Sequence, residues 1–110
     1  MNMKSLTVLC AIVVLAGCAG HNPIDRITYR NEPLVKQIEH GMSKDQVQTL
    51  GGPPSSEFHR TAHAGSCNNY VLNRDGKEQT YYVSFNSDDR VDGKGFTTCE
   101  ELDSQQRERH

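Results

Sequence analysis

The sequence predicts an α+β fold, with two short N-terminal helices packed on one face of a three- to four-stranded antiparallel sheet. Ahead of the break at Gly51–Pro54, apolar residues recur at helical spacing. Beyond it they alternate, most clearly over Gln79–Phe85, as in a strand with one buried face. Asp75-Gly76 separates two such stretches and is a favoured two-residue hairpin turn, so the strands that it joins should run antiparallel.

The amino terminus has the layout of a lipoprotein signal peptide, which we assign to residues 1–17. A basic head, Met1–Lys4, precedes an apolar run of about 11 residues, fewer than the roughly 20 that span a bilayer. The run closes with Leu-Ala-Gly before Cys18, a pattern that resembles a bacterial lipobox. We therefore expect Cys18 to begin the mature protein and to carry diacylglycerol and an N-acyl chain such as palmitate. The alternative is a secreted protein with an unmodified cysteine near its cleavage site.

The four cysteines reduce to one expected disulfide. Cys10 leaves with the signal peptide and Cys18 carries lipid, so Cys67 and Cys99 remain in an exported, oxidising compartment, where pairing is the rule. The bond would close a loop of about 33 residues, for which chain entropy predicts roughly 3.5–4 kcal/mol of stabilisation. A reactive thiol pair or a metal site is the weaker alternative, because the two cysteines lack C-x-x-C spacing and no histidine is grouped beside them.

The mature chain of about 93 residues has room for one small domain. Residues 18–31 are short, polar and interrupted by Pro23, and we expect them to tether the domain to the lipid. We assign the domain to residues 32–100 and expect the polar tail, residues 101–110, to fray. The formal net charge of -2 provides no basic field for nucleic acid.

Two helices are expected ahead of the sheet. The first runs from about Glu32 to His40 and ends at Gly41 as a left-handed cap. The second covers about Lys44–Leu50. It begins with a capping box, because Ser43 can cap the helix and Gln46 follows three residues later.

The sheet is expected to contain four stretches, the last of them weaker because Gly93 and Gly95 interrupt it. The predicted strands are Glu57–Ala62, Cys67–Asn73, Gln79–Phe85 and Arg90–Thr98.

Two motifs join the helices to the sheet: Gly-Met-Ser-Lys-Asp-Gln-Val at residues 41–47, and Gly52-Pro53. With them the chain resembles the SmpA/OmlA (BamE-like) family of outer-membrane lipoproteins. An osmotically inducible branch of this family is more similar still, and the matching residues include Gly65-x-Cys67 and Thr98-Cys99-Glu100. The resemblance covers nearly the whole mature chain, including the cysteine pair.

This resemblance implies helices on one face of an antiparallel sheet. It also implies a lipoprotein in the inner leaflet of the Gram-negative outer membrane, facing the periplasm. The BamE-like members belong to the machinery that inserts β-barrels into that membrane, whereas the osmotically inducible branch is named for its expression rather than for an activity.

The residues indicate no catalytic chemistry. His59 and His63 are four apart, a spacing that would share a face of a helix, but here they flank a strand. Asp88, Asp89 and Asp92 do not complete a calcium loop. No Ser-His-Asp or Cys-His arrangement is supported, so we expect no enzyme, no metal site and no cofactor beyond the lipid.

The expected function is a non-catalytic binding or maintenance module of the envelope, linked to osmotic stress. Its partner would be an envelope protein or a peptidoglycan-associated component. The candidate partner-binding surface combines the sheet face opposite the two helices, including Tyr82, with the Gly51–Pro54 loop, which Ser55 follows. Tyr82 is also explained as an exposed strand tyrosine. The alternatives are an accessory factor of β-barrel assembly and a small periplasmic inhibitor or regulator.

Overall fold

The protein, described by a computed structural model over residues 27–109, has three helices around one four-stranded sheet in this range. The helices are α1 (Pro33–Lys36), α2 (Lys44–Gly51) and α3 (Cys99–Glu108). The strands are β1 (Ser56–His59), β2 (Ser66–Arg74), β3 (Lys77–Phe85) and β4 (Val91–Gly95). They pair antiparallel in the order β1-β2-β3-β4. The predicted α+β fold is confirmed, whereas the signal peptide and Cys18 lie outside the described residues.

The α2 helix begins with the capping box that the sequence predicts. The Gln46 backbone N–H donates to Ser43 Oγ over 3.1 Å, and the Ser43 N–H donates to Gln46 Oε1 over 2.9 Å. Both bonds satisfy backbone donors that have no partner within the helix. Val47 is fully buried beneath this first turn, and Gly52 caps the far end with a φ of 80°.

The α1 helix is shorter than the one predicted over Glu32–His40, and its last residue is Lys36. At this end of the helix β4 supplies a donor to two backbone carbonyls. Lys94 Nζ donates to the carbonyl oxygens of Val35 over 3.1 Å and of Ile38 over 2.7 Å. Ile38 then enters the core with 1% of its surface exposed. The apolar spacing identified the buried residue correctly, but it carries no information about these distant donors.

The hydrophobic core fills the space between α1, α2 and one face of the sheet, here called the core face. Tyr70 of β2 stands opposite Tyr81 of β3, and directly opposed residues of antiparallel strands share a face. The buried members of the core are Tyr29, Leu34, Ile38, Val47, Tyr70, Leu72, Tyr81, Val83, Phe85 and Val91.

The β2–β3 hairpin turns at Asp75-Gly76, as predicted, with φ values of 54° and 84°. These positive angles match the right-handed twist of the two strands. β1, by contrast, ends at His59, short of the predicted Ala62. The reason is that the next residues turn towards α3, where the N–H groups of Thr61 and Ala62 bind Asp103.

The prediction that residues 101–110 form a frayed polar tail is wrong, because Cys99–Glu108 form α3. Thr98 caps this helix by accepting a hydrogen bond from the Glu101 N–H over 3.0 Å. Two acidic residues in the first turn are favoured by the helix dipole. Few apolar residues occur in α3, so contacts with the sheet rather than its own hydrophobicity hold it. Within residues 27–109, no helix is long and apolar enough to cross a bilayer.

Candidate functional site

The α3 helix covers the sheet face opposite the core, here called the polar face and defined by Cys67, Asn69, Tyr82 and Ser84. Cys67 stands opposite Ser84, and Asn69 opposite Tyr82. The disulfide joins Cys67 to Cys99, the first residue of α3, with 5.8 Å between the Cα atoms. The predicted pair is therefore present. Asn69 Oδ1 also accepts a hydrogen bond from the Cys99 N–H over 2.8 Å, so the start of α3 is fixed on β2.

A buried ion pair lies farther along the polar face. Arg60 Nη1 donates to Asp92 Oδ2 over 2.8 Å and to the Phe85 carbonyl over 3.0 Å, and the Arg60 side chain is only 3% exposed. Ser84 Oγ donates to Asp92 Oδ1 over 2.6 Å. Burial opposes ionisation of Asp92, but the hydrogen bonds from Arg60 and Ser84 outweigh it and hold the pKa of this carboxyl below its usual value. Arg60 Nη2 extends the network to Gln106 of α3 over 3.2 Å.

A second carboxylate, Asp103, is fully buried and holds the middle of α3 against the loop after β1. Its Oδ1 accepts the N–H groups of Thr61 and Ala62 over 2.8 and 2.9 Å, and its Oδ2 accepts the Thr61 hydroxyl. Arg107 Nη1 lies 2.7 Å from Oδ2. Burial alone would raise the pKa of Asp103, but these donors lower it to about 2. Both carboxylates are therefore ionised and engaged by protein groups, which indicates a structural role rather than acid–base catalysis.

Tyr82 is half-buried on the polar face rather than exposed. Its ring lies over the two glycines of β4: a Cβ on Gly95 would lie 2.9 Å from Tyr82 Cε2, and one on Gly93 would lie 3.7 Å from the Tyr82 hydroxyl. Burial, followed by the nearby Asp92 charge, raises the pKa of the Tyr82 hydroxyl. The interpretation as an exposed strand tyrosine is therefore wrong, as is the expectation that the sheet face opposite α1 and α2 is open. The role of Tyr82 in partner binding stays a prediction.

Ser55 is exposed and lies at the end of a loop that is fixed on both sides. Its N–H and its hydroxyl both donate to the Asn69 carbonyl, over 2.8 and 3.0 Å. The Tyr70 hydroxyl donates to the Gly52 carbonyl over 3.1 Å. The Gly51–Pro54 segment thus has a defined conformation, in which Pro53 is exposed. A partner that binds this segment would lose little free energy to ordering it.

His59 and His63 are both exposed, and no group of three or more metal-ligating side chains occurs within residues 27–109. Sequence reasoning missed Arg60, Asp92 and Asp103, since a single charged residue in a polar stretch gives no sign of burial. The two glycines of β4 are separated by one residue, and the preceding strand contains tyrosines. This pattern was the one available signal for the close approach of Tyr82.

Comparison with known proteins places the chain in a family. Residues 27–95 match the outer membrane protein assembly factor BamE domain. The chain belongs to the BamE domain family. It is 38% identical over 106 residues to the osmotically-inducible putative lipoprotein OsmE of Escherichia coli K12, covering 94% of this chain and 95% of that protein. OsmE of Escherichia coli O157:H7 gives the same values. A crystal structure of a putative osmotically inducible lipoprotein OsmE, 50% identical, superposes with a TM-score of 0.77 over 81% of this chain and 94% of that chain.

The family resemblance inferred from the sequence is thereby confirmed, and the relatives matched over nearly the whole chain are described as putative lipoproteins. The matched BamE domain ends at Gly95, the last residue of β4. The α3 helix and Cys99 therefore lie beyond it. The element that covers the polar face is contributed by residues outside the matched domain.

Proposed function

We propose that the protein is a lipid-anchored module of the outer membrane that binds or maintains an envelope component under osmotic stress. The lipobox that ends at Cys18 supports the anchor, which would consist of diacylglycerol and an N-acyl chain. Each buried CH₂ group contributes about 0.8 kcal/mol, so three chains hold far more firmly than the marginal single chain. The domain would face the periplasm from the inner leaflet.

The non-catalytic role is supported by the partners of three charged side chains, Arg60, Asp92 and Asp103, each of which binds other groups of the protein. Arg60 and Asp92 bind one another across the polar face, and Asp103 binds the backbone of the loop after β1. A catalytic acid or base has to reach a substrate, whereas these groups face protein donors and acceptors. Their arrangement stabilises a rigid domain, which suits a binding module.

The binding surface that we propose joins Ser55, the neighbouring loop and Tyr82. Ser56, Asn69 and Tyr82 form one row across β1, β2 and β3. Two strand spacings separate the ends of this row, about 10 Å. The start of α3 lies on Asn69 between them, so a partner that contacts both ends would also contact α3. A membrane anchor raises the local concentration of such a module, which favours weak envelope partners.

A second candidate, an accessory role in β-barrel assembly, is favoured by the match to the assembly-factor BamE domain over residues 27–95. The two candidates differ in the partner that they require. Affinity purification of the full chain from cells would recover barrel-assembly components in the second case. Recovery of one soluble enzyme as the main partner would instead favour a periplasmic inhibitor.

Site-specific photo-crosslinking in living cells tests the proposed surface directly. A photoreactive residue at Ser55 or Tyr82 is expected to give the same adduct, which mass spectrometry identifies. The matched control is Asp75, exposed in the β2–β3 hairpin. The absence of an adduct above background at Ser55 and Tyr82, or equal adducts at Asp75, would contradict the proposal.

A further inference from the structure

The β1 strand is an open edge of the sheet. The Arg60 N–H donates to the Gly65 carbonyl, and hydrogen-bonded pairs alternate along an antiparallel ladder. It follows that Phe58 directs its backbone groups towards β2, whereas Glu57 and His59 direct theirs away from the sheet. Among residues 27–109, no backbone group of another segment forms a hydrogen bond with these outward N–H and C=O groups.

The opposite edge of the sheet is covered by the chain itself where β4 begins. Val91 of β4 donates its N–H to the Met42 carbonyl over 2.8 Å and accepts the Gly41 N–H over 2.9 Å. Ser43 and Arg90 form a further isolated bridge. The segment before α2 thus covers the start of β4, whereas no backbone bond from another segment of residues 27–109 covers the outer side of Glu57 or His59 in β1.

The side chains of the open edge are self-complementary. Glu57 and His59 are both exposed and point to the same face, since they are two residues apart on one strand. One is an acid and the other a base. An antiparallel copy of the same strand can place each opposite the other.

We propose that β1 pairs antiparallel with β1 of a second copy of this chain, centred on Phe58. In this register Glu57 and His59 of one copy form hydrogen-bonded pairs with His59 and Glu57 of the other. Four backbone hydrogen bonds result, and an acid stands opposite a base at both pairs. The two Phe58 residues occupy the narrow pair between them, with Cα atoms about 4.5 Å apart, where aromatic side chains contribute to strand pairing.

The neighbouring registers are less favourable for reasons that the structure supplies. Pairing centred on Glu57 sets two carboxylates opposite one another, and pairing centred on His59 leaves Glu57 opposite Thr61 outside the strand. If the register shifts by a single residue, the outward-pointing N–H and C=O groups of one copy face residues of the other copy whose groups point towards β2. The backbone hydrogen bonds between the copies then cannot form. Pro53 and Pro54 precede the strand and prevent a longer ladder, so the pairing within β1 covers only Glu57, Phe58 and His59 and depends on the charges.

Charge exchange at the two outward positions tests this pairing. One variant of the full chain carries Glu57→Lys and His59→Lys, and the other carries His59→Glu. Each variant should fail to pair with itself, because like charges then face one another, whereas the two variants should pair together. Because two cross-strand pairs then carry like charges, we expect self-association to fall by roughly tenfold.

Two differently tagged copies are expressed together, and their co-purification is measured. The copies are extracted at well under one protein per detergent micelle, so that two copies do not share a micelle by chance. Wild-type copies, and the mixed variants, should co-purify. A second variant, His59→Pro, removes an outward N–H without touching the bonds to β2, and it should also lose pairing. Glu78→Lys, on the exposed hairpin, is the control and should pair like the wild type. Wild-type copies that do not co-purify, or charge variants that all co-purify equally, would overturn the proposal.

Discussion

Asp103 of α3 and Thr61 after β1 are joined twice, by a backbone N–H to Oδ1 over 2.8 Å and by the threonine hydroxyl to Oδ2. The two residues are 42 positions apart in the chain. Asp103 is 1% exposed, in a helix that has few apolar residues. The Asp103 carboxylate therefore attaches α3 to the rest of the domain. In most surface helices a hydrophobic stripe has this role.

Replacing Asp103 by Asn should lower the free energy of unfolding by about 2–4 kcal/mol. The amide has one acceptor oxygen in place of two, so it cannot accept the donors of Thr61, Ala62 and Arg107 together. Its NH₂ group would face donors that Oδ2 now accepts. Urea unfolding of the full chain measures the change. Asp88→Asn in an exposed turn is the matched control. A loss below 1 kcal/mol would show that the carboxylate does not hold α3.

The same carboxylate predicts an acid transition. The pKa of Asp103 falls from 3.8 to about 2 on folding, so the folded state favours the ionised form. This contribution, about 2 kcal/mol, is present above pH 4 and is lost as pH falls from about 4 to 2. Urea midpoints measured between pH 6 and pH 2 should show the loss. Asp103→Asn should have a flatter profile in that window, and an unchanged profile in this variant would contradict the assignment.

Gly95 should tolerate no large side chain. A Cβ there would lie 2.9 Å from the Tyr82 ring, so Gly95→Val should displace the ring and cost about 1–3 kcal/mol of stability. Tyr82→Phe keeps the ring over β4 and should cost little. Thermal unfolding separates the two outcomes. If Tyr82→Phe proves as damaging as Gly95→Val, the hydroxyl rather than the ring is what the structure needs.

Loss of the disulfide should release α3 before the sheet unfolds. Cys67→Ser with Cys99→Ser removes the cross-link, and we expect about 3–4 kcal/mol of destabilisation. Hydrogen exchange should rise in α3 and at Thr61 and Ala62, whose amides bind Asp103. Amides in the centre of β2 and β3 serve as the internal reference. Uniform acceleration across the sheet would mean that α3 is not a separate unit.

Cys18→Ser tests the proposed anchor. Without the thiol that accepts the lipid, the protein should no longer incorporate labelled palmitate, and it should leave the outer-membrane fraction. Cys10→Ser, within the signal peptide, is the matched control and should be lipidated normally. Palmitate labelling of Cys18→Ser at the wild-type level would place the lipid elsewhere.

Local signals in the sequence were sufficient for α2 and for the β2–β3 hairpin. The Ser43–Gln46 capping box and the Asp75-Gly76 turn are each completed within a few residues, so the pattern contains the whole interaction. The alternation of β3 likewise identified its buried positions, because burial of one face has a fixed period of two.

The remaining features depend on partners that are distant in the chain. Lys94 binds the carbonyls of Val35 and Ile38 at and beyond the end of α1, and Asp103 attaches α3 to the loop after β1. A lysine or an aspartate in a polar stretch looks solvated in sequence, and only the fold shows which one is buried. For the same reason the candidate surface was placed on a face that α3 covers.

The two ends of the domain emerge at opposite ends of the strands. The Tyr29 hydroxyl donates to the Lys77 carbonyl, so the chain enters beside the β2–β3 hairpin. Arg107, near the end of α3, binds the Thr61 hydroxyl beyond the other end of β1. A fluorescent protein fused to the carboxyl terminus would consequently be attached at the end of the domain remote from its amino-terminal entry. It could there report the distance of the domain from the bilayer.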